Sequence, residues 1–171
     1  MGQKIELKKL SIRLSALKIH FKIFISVFLF VLSVGYISGL DLLNFTTNFS
    51  VEGIERNILG ELENKDQDII YFKMPKGQLN TIIHSHLIGL SIVFLILSIL
   101  VNMTNCNFLF KKIFMIEPMI CLITTFGGMW LLWHEINFMK YVIMISGIIM
   151  HLSFVVMVVF IYFDLFLYKS K

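Results

Sequence analysis

Four apolar runs divide the chain, at residues 23–40, 82–101, 113–133 and 141–163. Each has close to the length of about 20 residues that a helix needs to cross a hydrocarbon core. Backbone N–H and C=O groups inside lipid must be satisfied within their own element, so the runs read as helices rather than strands. The pattern predicts an all-α protein, a membrane four-helix bundle of up-down-up-down topology, forming a single transmembrane domain over residues 1–171. The first run, from Ile23 to Leu40, is longer than the apolar part of a signal peptide and no A-x-A-like site follows it, so it is expected to be a retained crossing.

The polar stretches set the orientation. Residues 1 to 22 carry Lys4, Lys8, Lys9, Arg13, Lys18 and Lys22 against Glu6, while Leu7, Leu10, Leu14, Leu17 and Phe21 recur at three- and four-residue spacing. This is the pattern of a basic amphipathic helix lying in an anionic headgroup layer. The connection 41–80 is acidic, with Asp41, Glu52, Glu55, Glu61, Glu63, Asp66 and Asp68 against Arg56, Lys65, Lys73 and Lys76. Its cluster at Glu61–Asp68 lacks the glycine and terminal glutamate of a calcium loop, so a solvated outer loop is expected there. Pro75 and Gly77 end that loop, and Asn80 or Thr81 is placed to cap the second crossing. Lys111 and Lys112 lie between the second and third runs, and Lys169 and Lys171 close the chain. By the positive-inside rule both termini are cytoplasmic, with Trp130 and Trp133 as interfacial aromatics at the outer end of the third helix.

Composition narrows the function. The chain is 57% hydrophobic and 15% charged, against roughly 25% charged for a soluble domain. The net charge of +4 sits beside membrane-entering segments, which makes lipid headgroups, not nucleic acid, the expected counter-charge. Cys106 and Cys121 form neither a CxxC motif nor a disulfide framework and are expected to be free thiols. No nucleophile with a base, paired carboxylates or phosphate-binding glycine loop stands at usable spacing, so independent catalysis is not expected.

The candidate chemistry lies in histidines. His84 and His86 fall at the outer end of helix 2, His134 at that of helix 3, and His151 about 15 Å down helix 4. Gly89 follows His86 by three residues, Gly127 precedes His134 by seven and Gly147 precedes His151 by four, leaving room for a flat macrocycle or for close helix packing. Haem b, ligated by His86 with His151 or with His134 and flanked by Gly89 and Gly147, is one expectation. Unequal depth counts against the His86–His151 pair unless a tilt of about 20° levels them. A metal site on His84, His86 and His134 is a second, although residues two apart point about 200° apart around a helix, so it requires the helix to begin after them. A third is a non-enzymatic structural or assembly subunit, with the bilayer, other membrane subunits or a second copy as partners. Set against these, His84 and His134 at helix mouths can simply meet water or headgroups, and His151 can be satisfied by a serine or a backbone carbonyl. Glu117, beside Pro118 near the inner boundary, is expected to reach water or to pair with Lys111 or Lys112.

Gly53-Ile54-Glu55-Arg56 with Leu59-Gly60, Ile83-His84-Ser85-His86, Ile116-Glu117-Pro118, Phe126-Gly127-Gly128 and Ile145-Ser146-Gly147 together resemble an uncharacterised family of small four-helix bacterial integral membrane proteins. The resemblance covers nearly the whole chain. It implies this architecture, a bacterial inner membrane location and importance for the H-x-H segment, without naming a substrate. A looser likeness, H-x-H at the start of an apolar helix, links that segment to haem-bearing subunits of respiratory oxidases and carries no ligand assignment.

Overall fold

The computed structural model describes residues 13–60 and 71–167. Its elements are a 3₁₀ turn at Leu14–Ala16 and five α-helices: α1 (Ile19–Thr47), α2 (Val51–Leu59), α3 (Lys76–Asn102), α4 (Phe108–Trp133) and α5 (Met139–Phe166). All but α2 are long and apolar enough to cross a membrane. Each outruns its apolar stretch, because capping groups rather than the lipid boundary end a helix. At α4, Asn107 accepts the Phe110 amide through its side chain and starts the helix five residues before the apolar run. At α3, Pro75 is the N-cap and Lys76, Gly77 and Gln78 form a polar first turn.

Contacts between distant segments fix an up-down arrangement. At the terminal end, Lys22 of α1 donates to the Leu165 carbonyl of α5, and the Leu14 amide donates to the Met103 carbonyl just after α3. At the far end, Trp133 of α4 donates to the Met74 carbonyl before α3, and Lys140 of α5 pairs with Glu55 of α2. The core runs between these ends. It joins Phe94, Leu97 and Val101 of α3, Cys121, Leu122 and Phe126 of α4, and Met150, Phe154, Met157, Ile161 and Leu165 of α5. Helix α1 lies at the edge, buries only Leu29 and Thr47, and is held by Tyr36 stacked on Phe154 and by Tyr162 donating to the Ser26 carbonyl.

Two segments depart from expectation. Residues 13–18 do not continue a lipid-lying helix: Arg13 and Lys18 are extended and Leu14 is wholly buried against the bundle end. Burying that leucine in a protein core outweighs keeping the stripe in helical register; residues 1–12 of the same stripe lie outside the described residues. The connection 41–80, expected as a solvated loop, holds the end of α1, the whole of α2 and the start of α3. Helix α2 is amphipathic, with Ile54 and Ile58 one turn apart and buried against Leu132 and Ile143. Ser50 caps it by accepting the Gly53 amide at 2.9 Å. A side chain at Gly53 would overlap the Thr47 carbonyl, so the corner between α1 and α2 closes only around glycine. The acidic cluster at Glu61–Asp68 lies outside the described residues.

Candidate functional site

Because α3 begins at Lys76, His84 and His86 stand not at its mouth but about 12 and 15 Å along it. They occupy different faces. His84 lines an apolar cleft of about 910 Å³ between α3, α4 and the start of α5, with Ile83, Leu87, Phe126, Gly127 and Trp130 around it. Asn80 and Thr124 are polar groups in its wall. His84 makes no hydrogen bond among the described residues, so both ring nitrogens are available. His86 faces the cleft's margin, its ring centroid 5.1 Å from that of Phe126.

His86, His134 and His151 share one local device. The Nδ1 of each lies against the carbonyl oxygen four residues earlier: Ile82 at 2.9 Å, Trp130 at 2.9 Å and Gly147 at 2.5 Å. A carbonyl can only accept, so Nδ1 is the donor in each of these bonds. Nε2 is therefore the nitrogen left without a hydrogen bond in all three among the described residues. The same bonds also satisfy these rings with no ligand present.

The rings nevertheless lie against different neighbours. His151 is 5.4 Å from the Tyr36 ring of α1, His86 is beside Phe126 of α4, and His134 is exposed at the end of α4 against Trp130 and Trp133. The depth objection to the His86–His151 pair does largely disappear, since they lie about 15 and 18 Å from the starts of their helices. What separates them is direction around the helices. Gly89 and Gly147 are open, with nothing within 4 Å of an added Cβ. Gly127 is equally open, on the cleft, whereas a Cβ at Gly128 would stand 2.9 Å from Cγ1 of Ile143. Gly127 thus leaves cleft space, and Gly128 lets α4 and α5 approach. Among the described residues no three His, Cys, Asp or Glu side chains form a group that could hold a metal ion.

Three polar groupings were not foreseen. Glu117 accepts from Ser153 of α5 and from Cys121 at 3.0 Å, with no lysine among its partners. The expected pairing with Lys111 or Lys112 is thus replaced by partners on α4 and α5, while Glu117 itself stays half-buried. Asp164, buried near the end of α5, accepts from Asn105 in the α3–α4 connection, and Thr125 and Ser146 share a hydrogen bond of 2.7 Å between α4 and α5. Single acids and hydroxyls inside apolar runs carry no spacing signal that pairs them across helices.

A family model described as a transmembrane helical domain matches residues 48–171, from the α1–α2 corner onward. With four spanning-length helices, this makes the protein a multi-pass membrane protein resident in a lipid bilayer. No curated protein and no solved structure matches the chain.

Proposed function

We propose that this chain, which belongs to the Aq_1264_TM family of transmembrane helical domains, is a haem-b-binding membrane protein without independent catalysis, with the cleft beside α3 as the site and His84 as the residue that would hold the iron. The observation that carries the reading is the cleft itself, which combines about 910 Å³ of space, aromatic and aliphatic walls and one histidine without a hydrogen-bond partner among the described residues. Phe126 and Trp130 offer ring faces to a flat macrocycle, and Gly127 leaves its part of the wall open. Lys76 and Asn80 lie on the same helical face as His84, two and one turns before it, which suits the carboxylates of a haem whose iron meets His84. Bound haem would supply one-electron chemistry, making the protein an electron carrier or a redox-linked accessory subunit.

The test is the visible spectrum of the protein purified in mild detergent from haem-replete cells. A Soret band with reduced α and β bands is expected in the wild type, His86→Ala and His151→Ala, and its loss in His84→Ala. A colourless preparation overturns haem binding. Pigment that survives His84→Ala but is lost in His86→Ala or His151→Ala moves the site away from the cleft.

One observation favours a second reading, a structural or assembly subunit of a membrane complex: α1 buries little of its surface, and nothing lies within 4 Å of a Cβ added at Gly35 or Gly39. A stoichiometric membrane partner, or a second copy, that stays bound through detergent purification of a colourless protein supports it. For either reading we place the chain in a bacterial inner membrane with both termini cytoplasmic. Lys22, Lys111 and Lys112 lie toward the terminal end, as the positive-inside rule requires. A reporter fused after Lys171 that is active only outside the cell overturns that orientation.

A further inference from the structure

We propose that Glu117, Ser153 and Cys121 form a proton-binding site inside the membrane, with the Glu117 carboxyl carrying the proton. Glu117 lies nine residues into α4, about 14 Å from the nearer helix end, and Ser153 is about 20 Å from either end of α5. Cys121 and Ser153 are buried, as is Pro118 beside the acid. The ion pairs among the described residues, Lys73–Glu135 and Lys140–Glu55, both belong to the far end.

Among the described residues no cation is paired with this acid. From Leu87 to Asn102, α3 carries no ionisable side chain. On α4 the neighbouring cations are Lys111, which donates to the Asn102 carbonyl, and Lys112. On α5 the titratable groups are Lys140 and Tyr141 at the far end, His151, which faces Tyr36 of α1, and beyond it Tyr162 and Asp164; α1 carries His20, Tyr36, Asp41 and Lys22, the last donating to the Leu165 carbonyl. An ionised carboxylate held unpaired among apolar helices is strongly disfavoured, whereas a neutral acid needs only hydrogen-bond partners. Those are present. The Ser153 hydroxyl can accept from the acid as readily as donate to it, and the Cys121 thiol donates to the other oxygen. Pro118 has no N–H to give the Phe114 carbonyl, which leaves one more acceptor on the same turn. The site is separate from the cleft, whose lining contains none of these residues.

Glu117 itself is half-buried, and a protonated carboxyl in an apolar setting reacts with an apolar carbodiimide. The acid proton moves to one carbodiimide nitrogen as the carboxyl oxygen bonds the central carbon, and the resulting O-acylisourea rearranges by O-to-N acyl shift to a stable N-acylurea. The full-length protein in detergent is treated with dicyclohexylcarbodiimide and mapped by mass spectrometry. The expected result is an adduct on Glu117 that declines as pH rises and disappears in Glu117→Gln, while a water-soluble carbodiimide modifies Glu135 and spares Glu117. An infrared spectrum checks the same proton, through a protonated-carboxyl C=O band lost in Glu117→Gln and shifted in Ser153→Ala. Modification of Glu117 by the water-soluble reagent, or wild-type and Glu117→Gln spectra without a difference in that band, overturns the proposal. Neither readout depends on bound haem.

Discussion

Asn105 donates twice to one oxygen of Asp164, from its backbone N–H at 2.8 Å and from its side-chain amide at 2.9 Å. The same amide reaches Ser15 at 3.3 Å, so one residue of the α3–α4 connection ties the N-terminal turn to the end of α5. Asp164 is buried, and its second oxygen has no partner among the described residues. Removing the acid strands two donors at once, and each orphaned buried group costs about 1–3 kcal/mol. Asp164→Ala is expected to destabilise by about 2–4 kcal/mol and Asn105→Ala by about 2 kcal/mol, because the latter keeps the backbone bond. Thermal unfolding in detergent measures both, and an unchanged midpoint for Asp164→Ala would show that this end of the bundle is held by apolar packing alone.

Adjacent glycines on α4 should respond oppositely to the same substitution. A methyl group at Gly128 meets Ile143 at 2.9 Å, and overpacking of this kind costs about 1–3 kcal/mol. At Gly127 the methyl meets nothing, so the helix-propensity gain of about 1 kcal/mol from Gly to Ala stands unopposed. Gly127→Ala is therefore expected to be neutral or stabilising and Gly128→Ala destabilising. Adding Ile143→Val to Gly128→Ala should recover part of the loss, a coupling that a double-mutant cycle reads directly.

The apolar runs made the spanning helices legible because lipid contact is a composition signal, but helix ends are set by caps, and this difference propagated into the site. Taking α3 from Ile82 put His84 at the membrane surface and made His86 the inward candidate. With the helix begun at Lys76, His84 is two turns in and faces the cleft. Helix α2 was legible in principle, from Ser50 as a cap and from Ile54 and Ile58 at helical spacing, but the acidic balance of the whole connection hid a nine-residue amphipathic element. Nothing in the order of residues could show that His86 and His151 lie against different helices, since that depends on how far each helix rotates against its neighbours.

Helix α2 is held mainly by its isoleucines rather than by its ion pair. Ile58 is almost wholly buried, and truncating such a residue costs about 2–4 kcal/mol. The Lys140–Glu55 pair is short, at 2.6 Å, but both side chains keep contact with solvent, which limits it to about 1 kcal/mol. Ile58→Ala is expected to raise amide exchange across residues 51–59 while leaving α4 and α5 protected, and Glu55→Gln to change exchange there little. The reverse ranking would mean that the ion pair, not the apolar face, docks this helix.

Filling the cleft without touching a histidine separates the site from its ligand. Gly127 lines the cleft, and a larger side chain there enters space that a Cβ does not contest, so Gly127→Leu should occupy cleft volume while α4 stays packed on α5 through Gly128. The expected outcome is a variant with wild-type thermal stability, measured on the unpigmented protein, and a much lower haem content per polypeptide. His84→Ala should show the same pigment loss by removing the ligand instead of the space. Gly89→Leu, on the same helix as His84 but outside the cleft lining, should keep its pigment. If Gly127→Leu retains full pigment at unchanged stability, the macrocycle sits elsewhere and the cleft is open to lipid chains.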